Sequence, residues 1–304
     1  MRATASIFVL LLIFFMTVTA SAQTARDFAE FWDKTRISKL PPSQVRHRDL
    51  QNYLEQLKKL GLRVEEVGRS YGNREIYQIE FGRGATRVFM WSQMHGDEPT
   101  ATSAVVDLLA FLQTNRNLNW VREIEEKLTI RVVPMLNPDG AELYQRRNLQ
   151  AIDINRDARA LQTPEGRLLK KLRDDWSPQI GFNLHNQQAL TTVGRTHKQA
   201  AISLLAVNGD PTGKSDEGHS RNRRVASLMV DALNEFIKGH VGRYDDSFNE
   251  RAFGDNFSAW GTPVILVETG ALHGRDEMFL VKMNFVAYLA ALRAVASGSE
   301  ARAT

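Results

Sequence analysis

Between Leu50 and Val295 the chain switches repeatedly between two apolar periods, every second residue and every third or fourth. Runs of the first kind read as strands and stripes of the second as helices. Their alternation is the pattern of a sheet whose strands are joined by helical crossovers, so most neighbouring strands must run parallel. Leu50, Tyr53, Leu54, Leu57 and Leu60 predict a first helix that Gly61 stops. Residues 63–67 and 75–81 alternate as strands across the turn Tyr71-Gly72-Asn73, and 87–93 is a third strand. Helical stripes follow over 100–112, 164–176, 222–237 and 277–295. Between them the apolar runs 128–136, 180–184, 202–207 and 263–267 read as buried strands. The expected fold class is α/β, a single domain whose mixed, largely parallel twisted sheet carries helices on both faces.

With 304 residues, 43% of them apolar, the chain can bury a sizeable core. Lys and Arg number 39 against 35 Asp and Glu, a net +4 spread along the chain, so no nucleic-acid partner is expected. Cysteine is absent, which excludes disulfides, thiolate zinc sites and a cysteine nucleophile. Arg2, the apolar run 7–16 and Ala20-Ser21-Ala22 read as an export signal over residues 1–22, cleaved before Gln23. That run is about half the roughly 20 residues a membrane helix needs. The mature chain is therefore expected to be periplasmic or secreted, with no membrane attachment.

Three strands end on residues that carry chemistry. Met94-His95-Gly96-Asp97-Glu98 sits where a strand gives way to a helix, and a His and a Glu three apart on such a turn can face one point. His185 follows the run 180–184, and Glu268 follows Val264-Ile265-Leu266-Val267. Open α/β sheets gather their sites at the carboxyl ends of strands, so all of these reach one edge. Two imidazoles and a carboxylate, His95, His185 and Glu98, form the nitrogen and oxygen set of a catalytic zinc site, which keeps a position for water. Glu268 is then the candidate base, raised by burial and opposed by a nearby cation. There it can take a proton from water and hand it to a leaving amine.

The turn Asn137-Pro138-Asp139-Gly140 opens a polar stretch that the sheet logic places near the same edge. It contains Arg146, Arg147, Asn155 and Arg156. Arginine binds a carboxylate through two parallel hydrogen bonds, which suits capture of a free chain terminus. Asp153 can orient a ligand histidine from behind.

Taken in order, His95-Gly96-Asp97-Glu98, Asn137-Pro138-Asp139-Gly140, Asp153-Ile154-Asn155-Arg156, Asn183-Leu184-His185 and Val267-Glu268-Thr269-Gly270 resemble the motifs of the carboxypeptidase A-like zinc metallopeptidases. The resemblance covers roughly residues 50–295 and suggests a bacterial exported member. It implies that His95, Glu98 and His185 hold one zinc ion and that Glu268 is the general acid/base. Arg146, or Arg147 by one register, would polarise the scissile carbonyl, while Asn155 and Arg156 would grip the substrate's terminal carboxylate. Asp153 would hold His95. Tyr244 is the nearest match for the tyrosine that closes over substrate, with Phe248 closer to the family spacing. Phe253 and Asp255 are alternatives for the floor of the specificity pocket, and they imply opposite preferences. Asn186 follows His185 where many bacterial relatives have Asp.

The division implied is a signal over 1–22, a lead segment over 23–48, a catalytic domain over 49–297 and a flexible tail over 298–304. The activity implied is that of a monomeric zinc metallocarboxypeptidase acting on peptides or on peptidoglycan stem peptides. Two alternatives stand beside it, a zinc amidohydrolase of N-acyl amino acids on the same scaffold and an inactive peptide-binding relative.

Overall fold

Every strand anticipated from the apolar runs joins one sheet. The computed structural model describes residues 23–302, so the expected export signal lies outside the described residues, as do the last two residues of the expected tail. The strands are β1 (Arg63–Arg69), β2 (Glu75–Gly82), β3 (Thr86–Ser92), β4 (Leu128–Val133), β5 (Ile180–Asn186), β6 (Ile202–Val207), β7 (Val241–Arg243) and β8 (Val264–Thr269). Their order across the sheet is β1-β2-β4-β3-β5-β8-β6-β7. The central four, β4, β3, β5 and β8, are mutually parallel. β2 joins β4 and β6 joins β8 in antiparallel fashion, and β7 lies parallel to β6.

One face is covered by α1 (Ala25–Thr35), α2 (His47–Lys59), α3 (Thr100–Thr114), α4 (Asn119–Lys127), α7 (Glu217–Ile237) and α9 (Glu277–Ser297). The other face carries α6 (Pro164–Trp176) and α8 (Phe253–Ala259), while α5 (Pro138–Leu143) lies at the carboxyl end of β4. Burial on both faces explains why β3, β5 and β8 are apolar almost throughout. Val88, Met90, Phe182, Ile265 and Val267 enter the larger core. Their neighbours Phe89, Trp91, Val264 and Leu266 enter the smaller one, where Phe257 of α8 sits 4.5 Å from the Trp91 ring. By length and composition α9 is apolar enough to cross a bilayer; its packing among the other helices and the sheet accounts for that composition.

The structure adds detail to the expectations and departs from one of them. Within the expected lead segment over 23–48, Ala25–Thr35 form α1, whose Phe28 and Trp32 are buried in the larger core. Its start is fixed by a capping box in which the Thr24 side chain accepts from the Asp27 backbone and Asp27 accepts from the Thr24 N–H. The Asn137–Gly140 turn is instead the start of a short helix: Asn137 caps α5 by accepting from Gly140 N at 2.8 Å. The expected tail begins as a 3-10 turn, Ser299–Arg302, tied by Arg224 Nε to Glu300 O at 3.0 Å.

Candidate metal centre and cleft

β3 stops at Ser92, and the next residues turn back before α3 begins at Thr100. Gln93 adopts a left-handed φ of 49°, and at Gly96 an added Cβ would lie 1.9 Å from the Gly140 carbonyl carbon. Only glycine permits that contact. The two loops are laced together, since Asn137 N donates to Gln93 O at 3.0 Å and Asn137 Nδ2 to Met94 O at 3.3 Å. Asp139, fully buried, accepts from Arg74 Nη1 at 2.6 Å and Gly72 N at 2.7 Å. The Asn137–Gly140 motif therefore buttresses the turn that presents His95 and Glu98.

His185 and Glu268 are direct partners across β5 and β8, so parallel register alone places them side by side. His95, Glu98 and His185 are all buried, with ligand atoms within 4.8 Å of one another. His95 Nδ1 lies 2.8 Å from Glu98 Oε1, and His185 Nδ1 lies 2.6 Å from Glu98 Oε2. Behind them, His95 Nε2 lies 3.0 Å from Asp153 Oδ1. Arg146 spans the pair, donating from Nε to Asp153 Oδ2 at 3.0 Å and from Nη1 to Glu98 Oε1 at 3.1 Å. Asn186 N donates to Glu98 Oε2 at 3.2 Å, and its side chain exchanges hydrogen bonds with Thr100. A neutral amide at this position thus pins the end of β5 to the start of α3.

Burial alone would lower His95, but the Glu98 carboxylate and Asp153 outweigh it and push the imidazole up to about 9. His185 moves down, because its burial, with the charges of His95 and Arg146 adding to it, outweighs the pull of the Glu98 carboxylate. Burial opposes ionisation of Glu98, yet the two histidines hold it well below the usual carboxylate range. Asp153 is held low in the same way by His95 and Arg146. Glu268 goes the other way, to about 8, because burial and the Glu98 charge act together. Tyr244 is raised to about 12 by burial, with Glu268 and Glu98 adding to the shift.

The donor set fits a divalent cation. Two imidazoles and a carboxylate, all buried and with ligand atoms within 4.8 Å of one another, are the nitrogen and oxygen donors such an ion takes. With His95 Nδ1 and His185 Nδ1 turned to Glu98, His95 Nε2 is left facing Asp153. This is the arrangement that fixes a ligand histidine's tautomer.

The cluster opens into a cavity of ≈ 480 Å³. Arg146, Asn155, Arg156, Tyr244, Phe248, Asp255 and Glu268 all line it, so most residues singled out from the sequence meet in one cleft. Arg147 does not. Its guanidinium donates to Ala151 O at 2.7 Å and lies outside the lining, which leaves Arg146 as the arginine at the cluster. Phe253 is also excluded from the pocket floor: its ring is buried beside Phe257 and Trp260, and only its backbone N–H serves the site, by donating to Asn155 Oδ1 at 2.9 Å. Asn183 also lines the cavity and carried no assigned role in the sequence. The alternation of β5, which puts Gly181, Asn183 and His185 on one face, is the signal that points to it.

The sequence profile of the zinc carboxypeptidase family matches residues 49–201, half of the chain. Carboxypeptidase 2 of Trichophyton rubrum is 34% identical over 99 residues, which is 33% of this chain and 18% of that protein. The chain thus matches about a fifth of the length of such curated relatives. A metallo-carboxypeptidase structure from Burkholderia cenocepacia superposes with a TM-score of 0.67 at 15% identity, over 83% of this chain and 69% of that one. A metallo-carboxypeptidase from Pseudomonas aeruginosa, in complex with (2-guanidinoethylmercapto)succinic acid, gives 0.64 at 16% identity over the same shares. At such identities the structures speak for the fold, and the profile speaks for descent. On that match over half its length, the chain belongs to the zinc carboxypeptidase family.

Proposed function

We propose that the protein is an exported, zinc-dependent metallocarboxypeptidase that removes C-terminal residues from peptides or from the stem peptides of cell-wall material. The observation that carries this reading is the convergence of His95, Glu98 and His185 beside Glu268, with Arg146 and Arg156 lining the same cavity. His95 Nδ1, His185 Nδ1 and the Glu98 carboxylate would hold zinc, which when bound supplies a Lewis acid for the scissile carbonyl and lowers the pKa of water.

The protein's own groups do the rest. Arg156, with Asn155 beside it, binds the terminal carboxylate and sets the last peptide bond against the cluster. Glu268 takes a proton from the attacking water and delivers it to the leaving nitrogen. Arg146 offers N–H donors to the oxygen on which negative charge develops. Asp153 holds the His95 ring in place through Nε2. Export is supported by the pattern over residues 1–22.

The test is digestion of paired peptides with free and amidated C-termini, with and without a chelator. Stepwise loss of single C-terminal residues from the free form only, abolished by chelator, is the expected result. Equal cleavage of the amidated form, or internal cuts, would refute the assignment.

A further inference from the structure

A second cleft, of ≈ 650 Å³, lies outside the metal centre and is built by three loops. The loop after β5, the strand of His185, brings His197 and Lys198; the loop after β8, the strand of Glu268, brings His273 and Arg275; the turn between α7 and β7 brings Lys238 and His240. No Asp or Glu lines this cleft. Phe236 and Leu272 add apolar wall between the basic groups.

Like charges gathered in one place repel unless carboxylates answer them. Lys198, Lys238 and Arg275 are exposed and form no salt bridge among the described residues. The acids nearest to them in sequence are engaged elsewhere. Asp276 caps α9 by accepting from Phe279 N at 2.8 Å, Glu277 accepts from Ser43 N at 2.8 Å, and Glu235 pairs with Arg26 at 3.4 Å. Three cations and three imidazoles therefore share a concave surface whose natural complement is an anion. Concavity and apolar walls suit an extended peptide bearing carboxylates, whereas a bilayer surface would call for a flat or protruding face.

The sheet register sets how far this cleft lies from the reacting groups. Thr269, one residue past Glu268, pairs with Ile202 of β6, and Ile202 pairs with Val241 of β7, the residue after His240. Two strand spacings of about 4.8 Å put His240 roughly 10 Å to the side of the end of β8. About three extended residues cover that span. Gln187 laces the ground between, its N donating to Thr269 O at 2.8 Å and its Nε2 to Ala200 O at 2.9 Å.

We propose that this basic cleft holds an acidic stretch of the substrate, starting about three residues before its C-terminus, so that the protein prefers peptides carrying Asp or Glu upstream of the residue released. The inference rests on the carboxypeptidase reading and names a substrate class for it. Each exposed ion pair adds a small factor, and three together amount to roughly tenfold at low salt.

The experiment has a binding arm and a turnover arm, both on the purified zinc-loaded protein and on the triple variant Lys198→Glu, Lys238→Glu, Arg275→Glu. In the first, a fluorescent Glu-rich peptide with an amidated C-terminus is titrated by anisotropy, which needs no cleavage. The parent is expected to bind it roughly tenfold more tightly than its Gln counterpart, and the preference should vanish in the variant and in about 0.5 M salt, where charges are screened beyond about 4 Å. In the second arm, two peptides share their last two residues and carry either Glu or Gln at the four positions before them. The parent should show kcat/KM roughly tenfold higher for the Glu peptide. The variant should cleave both at the parent's rate for the Gln peptide. Equal binding of the Glu and Gln peptides by the parent, or a Glu-to-Gln ratio that the variant leaves unchanged, overturns the inference. Tighter binding to vesicles of anionic phospholipid than to the Glu peptide, lost in the same variant, also overturns it by assigning the surface to a membrane. Failure to release any C-terminal residue from either peptide overturns the carboxypeptidase reading, and the binding arm tells that failure apart.

Discussion

At Glu268, burial and the Glu98 carboxylate push in the same direction, to about 8 from an ordinary 4.5. A bound cation pulls the other way. The acidic limb of the kcat/KM profile should therefore have its midpoint between those two values, with activity falling as pH drops and Glu268 takes up its proton. Glu268→Gln should keep zinc and lose about 10²–10⁴-fold in kcat, the usual share of a general base; near-normal turnover in that variant would remove Glu268 from the chemistry. Arg156→Ala should lower kcat/KM roughly 10–100-fold on free C-termini, the worth of a charge-assisted hydrogen bond or two. An equal loss on amidated substrates would show that it does not bind the carboxylate. His95, Glu98, His185 and Glu268 were legible in the sequence because each lies at or just past the carboxyl end of an apolar run, and strand ends share an edge. Arg146 and Arg147 were not separable, since adjacent residues in a loop point apart and spacing does not say which turns inward. That Asn183 lines the cavity was readable only from its sharing a face of β5 with His185, because its neighbours in the sheet, Trp91 and Leu266, come from other strands.

At the scale of elements, long apolar stripes were readable and short ones were not. α3 and α9 bury most of their length, whereas α4 and α8 are short helices whose few apolar contacts, Val121 and Ile124 or Phe253 and Phe257, do not outweigh polar neighbours in a sequence window. α1 announces itself only by its Thr24–Asp27 capping box and the spacing of Phe28 and Trp32. What ties this helix and the residues after it down is Asp107 of α3. Its carboxylate accepts from Trp32 Nε1 at 2.8 Å, Ile37 N at 2.9 Å, Ser38 N at 2.8 Å and Ser38 Oγ at 2.6 Å. Asp107→Ala strands several buried donors and should cost on the order of 3–5 kcal/mol of stability, read as a drop in denaturation midpoint. A change under about 1 kcal/mol would mean that the segment is held by apolar contact alone.

For the whole molecule, the parallel centre was legible from alternation, but the strand order was not. β4 lies on one side of β3 and β5 on the other, and that reversal opens the crevice at the strand ends where the cluster sits. The antiparallel flanks formed by β2 and β6 depend on pairings between distant segments, which a local pattern does not encode. The account as a whole requires that three side chains brought together by this topology hold one ion. Zinc content per chain, measured on the purified protein and on Glu98→Ala and Glu268→Gln variants, tests this most directly. About one zinc is expected in the parent and in Glu268→Gln, and little or none in Glu98→Ala; a full complement in Glu98→Ala would place the metal elsewhere and contradict the account.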